Sequence, residues 1–450
     1  MTTPAPARQP VLSETALLLD LPAGRWSSLS LLTVALCFLI NAVDGMNVFL
    51  LSYLAPSVAA DWHLSSTTLG EVFSAGLAGM AIGGLLIAPL GDRLGRRPLI
   101  LASLLTMSLG MILSGYAPSV LALILARVIV GIGIGTVLAC MTALVAEFAP
   151  AHRRSFAVGL LQGGYPVGAT ITGFVTAWAI AFHSWRFILL ASGFGSLALF
   201  PVTFLLLPES ASFLLHIQRP AAASSLRRIN RLRARLHAAP LTSLPTPAGN
   251  TPLQPRNRPL RTLLGTQLRH DTLLLWTAIF FGFMVLYSVL SWIPRLAIDA
   301  GLNPKSGIYA GAVYNIGAFV GTLLLARLAD SSGLKRLIAG FLLAAAVLLI
   351  LFGGVHMPVA LVLLTAFAIG LTLQGGFNGI YPLATCVYPV QVRSSGLGWA
   401  MGLGRAGGIL GPWLAGLILS FHLPQIVLFL ALAFPLLITA LCARSVRQPT

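Results

Sequence analysis

The stretch GGLLIAPLGDRLGRRPL, residues 83–99, returns in weaker form as GTLLLARLADSSGLKRL, residues 321–337. A shift of 238 positions sets Gly83 on Gly321, Asp92 on Asp330, Gly95 on Gly333 and Arg97 on Lys335. One residue more, a shift of 239, sets Pro150 on Pro389, Arg154 on Arg393, Ser155 on Ser394, Gly159 on Gly398 and Gly163 on Gly402. In each copy an apolar run stops at an acid, a glycine and a base, and another apolar run begins. The two halves carry the same polar joints at the same places, the pattern of an internally duplicated bundle of membrane helices.

The material between the joints supports this. Of 450 residues, 57% are hydrophobic and 9% charged, where a soluble chain averages about 25% charged. A bilayer crossing needs about 20 apolar residues. Breaks at charges, prolines and glycines give the spans 29–57, 69–91, 98–116, 119–142, 155–182 and 186–207, then 272–296, 307–329, 335–354, 358–382, 395–421 and 424–443. Twelve spans predict an all-α polytopic protein. Residues 1–28 form a tail, 29–207 a first six-helix bundle, 208–271 a connection, 272–443 a second bundle and 444–450 a second tail. The first span shows no small-residue cleavage site and is expected to remain in the mature chain.

A net charge of +17 in a soluble domain would suggest nucleic acid. Its distribution excludes that reading. Of the 28 Lys and Arg residues, 23 fall on the side of the N-terminus, ten of them within 208–271. The opposite side keeps Arg186, Arg295 and Lys305, while Arg127 and Arg405 lie inside spans. This bias predicts cytoplasmic N- and C-termini. Arginines at helical spacing in AAASSLRRINRLRARLH (221–237) predict a surface helix against anionic headgroups, followed by a flexible linker over 238–260. Cys37, Cys140, Cys386 and Cys442 have no metal or disulfide spacing and read as packing residues. Histidine pairs, nucleophile elbows and phosphate-cradling loops are missing from the sequence, which argues against an enzyme.

Three charges inside spans are the sharpest candidates for chemistry, because intramembrane charge is costly. Asp44 is placed to take a proton from one side and release it on the other. Asn47 falls one turn away on the same face, and Gly45 permits a bend or close approach. Arg127 and Arg405 each present a planar fork that suits a carboxylate. The fork favours neither. The glycines around Arg405 (Gly402, Gly404, Gly407, Gly408) select it for an anionic substrate and leave Arg127 as the partner of Asp44, with the reverse assignment open. Amides and aromatics that could complete a site are Gln162, Tyr165, Tyr287, Trp292, Tyr314, Asn315, Gln374, Asn378, Tyr381 and Trp399. Each aromatic reads equally as packing or interfacial belt, whereas an intramembrane amide must find a partner.

GDRLGRR (91–97) resembles the loop 2–3 signature of the major facilitator superfamily, with LADSSGLKR (328–336) as a degenerate copy. RVIVGIGIG (127–135) resembles that superfamily's span 4 motif, and PESASFLL (208–215) a motif after span 6 shared by sugar and organic-acid branches. Within the superfamily the chain resembles the aromatic acid/proton symporters, through Asp44-Gly45, the polar joint Ala60-Asp61 and RSSGLGWAMGLGRAGGILGP (393–412). It departs once: the family's span 1 pattern usually has two acids three apart, and the second position here is Asn47. The resemblance implies the major facilitator fold, two pseudo-symmetric six-helix bundles working by alternating access. It implies proton-coupled uptake of a small anionic aromatic substrate, such as a benzoate, hydroxybenzoate or phenylpropionate, into a bacterium across its inner membrane. Protons and the lipid bilayer are the other expected partners, the proton gradient stands in place of a cofactor, and a monomer is expected. A carrier for another organic anion or sugar acid, or a proton-antiport efflux pump, is the alternative. Efflux members typically carry Gly-Pro in span 5, where this chain has Gly168-Ala169. The resemblance also implies a cytoplasmic gate. Asp92 caps or bridges to the neighbouring helix there, beside Arg93, Arg96 and Arg97, with Glu147, Arg153 and Arg154 at the next joint and Asp330 and Arg393 in the repeat. Read alone, these arginines are topology determinants.

Overall fold

The computed structural model describes residues 26–447, apart from 151–152, 211–212, 215–221, 236–239, 242–258, 300 and 355–356. Twelve long helices run through them, numbered in chain order. The first six are α1 Ser28–Trp62, α2 Ser66–Ile82, α3 Arg96–Tyr116, α4 Val120–Phe148, α5 Arg154–Ala179 and α6 Trp185–Leu206. The second six are α7 Arg269–Asp299, α8 Pro304–Ser332, α9 Leu334–Gly354, α10 Val359–Asn378, α11 Val390–Ser420 and α12 Gln425–Ser445. α2 continues through a π turn, Gly83–Ile87, and α10 through Ile380–Val387. Several helices overrun the predicted spans, because their polar ends stay helical beyond the apolar window. Ser27, Ser65, Ser119, Ser184 and Asn303 cap five of them, each side chain accepting a backbone N–H from three residues on.

Eleven of the twelve are long and apolar enough to cross a bilayer. The other, α5, has 26 residues, long enough at about 1.5 Å each, but Gln162, Tyr165, Thr170, Thr172 and Thr176 make it more polar. Its neighbours explain the difference: α5 packs on α1 and α8 between the halves.

The repeat seen in the sequence is repeated in the packing. α1 on α5 corresponds to α7 on α11, α2 on α4 to α8 on α10, α3 on α4 to α9 on α10, and α3 on α6 to α9 on α12. Between the bundles, α2 meets α11 and α5 meets α8, which are the same contact under the repeat, while α1 meets α7. Glycines allow backbones to touch where α2 crosses α4: a side chain on Gly79, Gly131 or Gly135 would strike a carbonyl of the other helix.

Among the described residues, the hydrogen bonds that join the two bundles lie between mid-membrane and one end. Call the end carrying Arg93, Arg96 and Arg97 the basic end. At the opposite end Ser52 Oγ donates to the carbonyls of Leu290 and Ser291 at 2.9 and 2.7 Å, and Ser74 Oγ to that of Ile409 at 2.7 Å. Trp292 Nε1 donates to Pro412 O at 3.0 Å, with Phe73 edge-on to its ring. At the basic end the repeat-related Gly159 of α5 and Gly398 of α11 have open space where a side chain would point.

Most of the 1–28 tail and of the 238–260 linker lies outside the described residues. The surface helix is present as Ala222–Arg235, with Ile229 and Arg233 buried and Arg227 and Arg231 exposed.

Candidate functional site

Where the halves meet near mid-membrane, α11 delivers Arg405. Its glycines explain how: a side chain on Gly404 would strike Phe283, one on Gly407 the Phe280 carbonyl, and one on Gly408 the Tyr287 ring. Without side chains there, α11 lies directly on α7. Arg405 Nη1 then donates to Tyr287 Oη at 3.1 Å, and its guanidinium carbon stands 5.6 Å from the Phe283 ring centre. Phe283 stacks on Tyr287 with centroids 5.5 Å apart and meets Phe377 edge-on at 4.8 Å; Phe377 in turn meets Tyr381. A cation on an aromatic floor results. Met80 Sδ, from α2 of the other bundle, lies 3.9 Å from Nη1.

Across the interface stands Asp44, 1% exposed, with no hydrogen-bond partner for Oδ1. Arg405 is the cation that acts on it. Gly45 brings α1 against α5, where any side chain would collide with the Tyr165 carbonyl. Tyr165 packs edge-on to Phe49 and shares the electrostatic surroundings of Asp44, Tyr287, Tyr314 and Arg405. Asp44, Tyr165, Tyr287, Tyr381 and Arg405 thus form one cluster drawn from both bundles.

Arg127 does not join it. Its Nη2 donates to the Asn47 carbonyl at 3.0 Å and its Nη1 contacts Met111 Sδ at 3.2 Å. The expected Asp44–Arg127 pairing is therefore not formed among the described contacts, and Arg405 is the cation whose charge reaches Asp44. Asn47 Oδ1 accepts from Ser192 Oγ at 3.2 Å, so its side chain is directed into the first bundle.

The other candidates divide by position. Asn315 belongs to the closed seam, its Nδ2 donating to Gly311 O at 2.9 Å and to Tyr53 Oη at 3.4 Å, while Tyr53 Oη donates to Ala169 O. Trp292 is in the same seam. Tyr314 is fully buried with its hydroxyl unpartnered. Gln374 Nε2 donates to Asn378 Oδ1 at 3.3 Å, and Asn378 Nδ2 to Thr322 Oγ1 at 2.9 Å, forming a ladder within the second bundle. Gln162 is exposed on α5. Trp399, 49% exposed, lies tilted against Trp276 at 6.3 Å and is not brought to the cluster.

At the basic end, Glu209 organises the joint. Its Oε1 accepts from the backbone N–H groups of Arg96 and Arg97, each at 3.1 Å, and of Ser210 at 2.8 Å, which caps α3. Gly95, at φ 102°, gives the carboxylate room. Burial pushes the Glu209 carboxyl above the usual range, and these N–H groups oppose that rise. Arg96 pairs with Glu147, whose other oxygen accepts from Ser210 Oγ at 2.8 Å, and Arg97 donates to the Phe204 carbonyl. These charges tie α3, α4 and the end of α6 together within one bundle. Arg93 is exposed, and Arg154 is half-buried with Nε unpartnered. The side chains of Asp92, Asp330 and Arg393 lie outside the described residues.

Phe283, Phe377 and Met80 were not singled out from sequence, and Glu209 was noted only as part of PESASFLL (208–215), without a role.

The chain matches the Major Facilitator Superfamily over residues 37–353. It is 32% identical to a gallate transporter of Pseudomonas putida, covering 91% of this chain and 90% of that one. It is 30% identical to a 4-hydroxybenzoate transporter of Acinetobacter baylyi over 91% and 88% of the two chains. A 3-(3-hydroxy-phenyl)propionate transporter of Escherichia coli is also 30% identical, over 88% of each. Among solved structures, a bacterial homologue of the lysosomal transporter Spinster, inward-facing and occupied, superposes with TM-score 0.69 at 15% identity, covering 91% of this chain and 95% of that one. The xylose transporter of Escherichia coli in a partially occluded inward-open state gives 0.67 at 16%, over 92% and 97%. With two repeated six-helix bundles, a charged cluster between them and a family match across most of its length, the chain is a multi-pass membrane transporter and belongs to the Major Facilitator Superfamily.

Proposed function

We propose that this chain takes up a small aromatic carboxylate in symport with protons, by alternating access, across a bacterial inner membrane. The observation that carries the reading is Arg405 held on an aromatic floor where the bundles meet, with the buried Asp44 of the other bundle within its field. The guanidinium supplies a carboxylate grip, and Phe283, Tyr287, Phe377 and Tyr381 supply flat surfaces and hydroxyls for a ring. The named relatives, transporters of gallate, 4-hydroxybenzoate and hydroxyphenylpropionate, support the same class.

Asp44 and a bound anion draw on one cation. The centre keeps its charge when an anion on Arg405 is accompanied by a proton on Asp44, which is the coupling we assign to it. Arg127 stands apart from this exchange. The lysine and arginine bias puts the basic end and both termini in the cytoplasm, so the conformation described above faces inward. Glu147, Glu209, Arg96 and Arg97 hold the first bundle rigid as it rocks, and Asp92, Arg93, Arg154, Asp330 and Arg393 line the gate between cytoplasmic ends. Gln162, Gln374 and Asn378 meet the substrate on its way to the cytoplasm.

Uptake by cells expressing the chain, offered radiolabelled benzoates, hydroxybenzoates, phenylpropionates and aliphatic acids with and without a protonophore, tests the reading. Protonophore-sensitive accumulation of an aromatic acid is expected. Accumulation of an aliphatic acid alone, or protection from a toxic solute without any uptake, would move the chain to another substrate class or direction.

A further inference from the structure

Arg127 carries a full charge through the membrane without an acid beside it. It is 4% exposed, and no described carboxylate forms an ion pair with it. Its two contacts are a carbonyl, Asn47 O, and a thioether, Met111 Sδ, which is a weak acceptor. Nε has no partner. Nε and Nη2 form one edge of the guanidinium, and both lie 3.9 Å from where a side-chain carbon on Gly76 would stand. Beside Gly76 lies a cavity of ≈ 30 Å³, which Arg127 lines with Phe49, Phe73, Leu77, Met80 and Tyr287.

The size and lining restrict the occupant. One water-sized particle takes about 10–15 Å³ on this measure, so the space holds two or three, or one larger monatomic ion, and no aromatic ring. A water molecule needs two to four polar partners. On this wall the Ser52 hydroxyl is already committed to the Leu290 and Ser291 carbonyls and Tyr287 Oη accepts from Arg405, and apart from Ser291 the rest is apolar. What the cavity borders is a cation whose Nε is unused and whose Nη2 has one N–H committed to Asn47 O, which repels cations and leaves an uncompensated charge in hydrocarbon.

We propose that the Nε–Nη2 edge of Arg127 binds a single monatomic anion, a chloride ion, as a resident counter-ion separate from the carboxylate position at Arg405. The site lies in the half of the molecule that is sealed in this conformation, so the bound ion stabilises that sealed state. Position 47 provides the control. Its backbone already touches the guanidinium, so a carboxylate there supplies an internal counter-charge and makes the ion dispensable.

The test is thermal unfolding of the purified full-length protein in detergent, titrated with chloride against gluconate at constant ionic strength. The unmodified chain is expected to gain a saturable rise of a few degrees with chloride, and with bromide in its place. Asn47→Asp is expected to lose that rise while remaining folded, and Arg127→Gln to lose it with a lower starting midpoint. No rise in the unmodified chain overturns the proposal. So does a rise that never saturates, or an Asn47→Asp protein that responds as the unmodified one does. The measurement involves no organic substrate, so it stands or falls apart from the transport reading.

Discussion

Replacing Arg405 with lysine keeps the charge and removes the fork. Arg405 spends Nη1 on Tyr287 at 3.1 Å and retains its remaining N–H groups for a carboxylate, which a planar guanidinium grips with two parallel bonds. Lysine presents a single point charge at the end of a flexible stem, and it cannot hold Tyr287 and both carboxylate oxygens in one plane. The loss is one hydrogen bond to a charged group, about 1.5–3 kcal/mol. That corresponds to roughly a 10- to 150-fold rise in the half-saturating concentration. Stacking over Phe283 survives in part, since an ammonium is also drawn to a ring face, so the lower half of the range is favoured. The assay is exchange of labelled against unlabelled aromatic acid in proteoliposomes, where affinity is read without an energy source. An Arg405→Lys protein whose half-saturation stays within about threefold of the original would refute the two-bond grip.

Four further expectations follow from named contacts. Asp44→Asn should abolish protonophore-sensitive accumulation yet leave exchange, seen by comparing net uptake with counterflow in the same vesicles. Gly407→Ala places a carbon on the Phe280 carbonyl and pushes α11 off α7; overpacking of about 1–3 kcal/mol should lower exchange affinity in protein that still reaches the membrane. Glu209→Ala strips the acceptor from two N–H groups at the start of α3 and from that of Ser210, and should cost about 0.5–2 kcal/mol, read as a lowered unfolding midpoint. In a Cys386→Ser background, cysteine at Gly159 or Gly398 should react with an impermeant maleimide applied from the basic end, while cysteine at Ser74 in the closed seam should not.

The repeated joints were legible because an acid, a glycine and a base ending an apolar run make a pattern that survives divergence, and the packing repeats it pair by pair. Arg405 was legible for a related reason: its glycines are unusual, and they proved to be the means by which α11 rests on α7. The partner of Asp44 was not legible. Both arginines lie at suitable depth, and only the rotation of α4 decides that Arg127 points to the Asn47 carbonyl instead. Trp399 illustrates a neglected constraint. Six residues before Arg405, it is rotated by roughly 600°, or 240° around the helix, and so faces elsewhere. Phe283 and Phe377 were hidden in apolar runs, where a ring that floors a site and a ring that fills a core have the same sequence signature. α5 reads as the weakest span for the opposite reason, since Thr172 and Thr176 are buried against other helices and Gln162 is exposed.

In the proposed mechanism a proton and an aromatic carboxylate cross together through the Asp44–Arg405 centre. Its most direct test is to load purified protein into proteoliposomes, impose an inward proton gradient at zero membrane potential, and follow labelled 4-hydroxybenzoate. The account predicts uptake against the anion gradient at an initial rate well above that of protein-free vesicles, collapsing when the gradient is dissipated and missing in Asp44→Asn vesicles that still exchange. Accumulation that persists without the proton gradient, or that survives in Asp44→Asn, would contradict it.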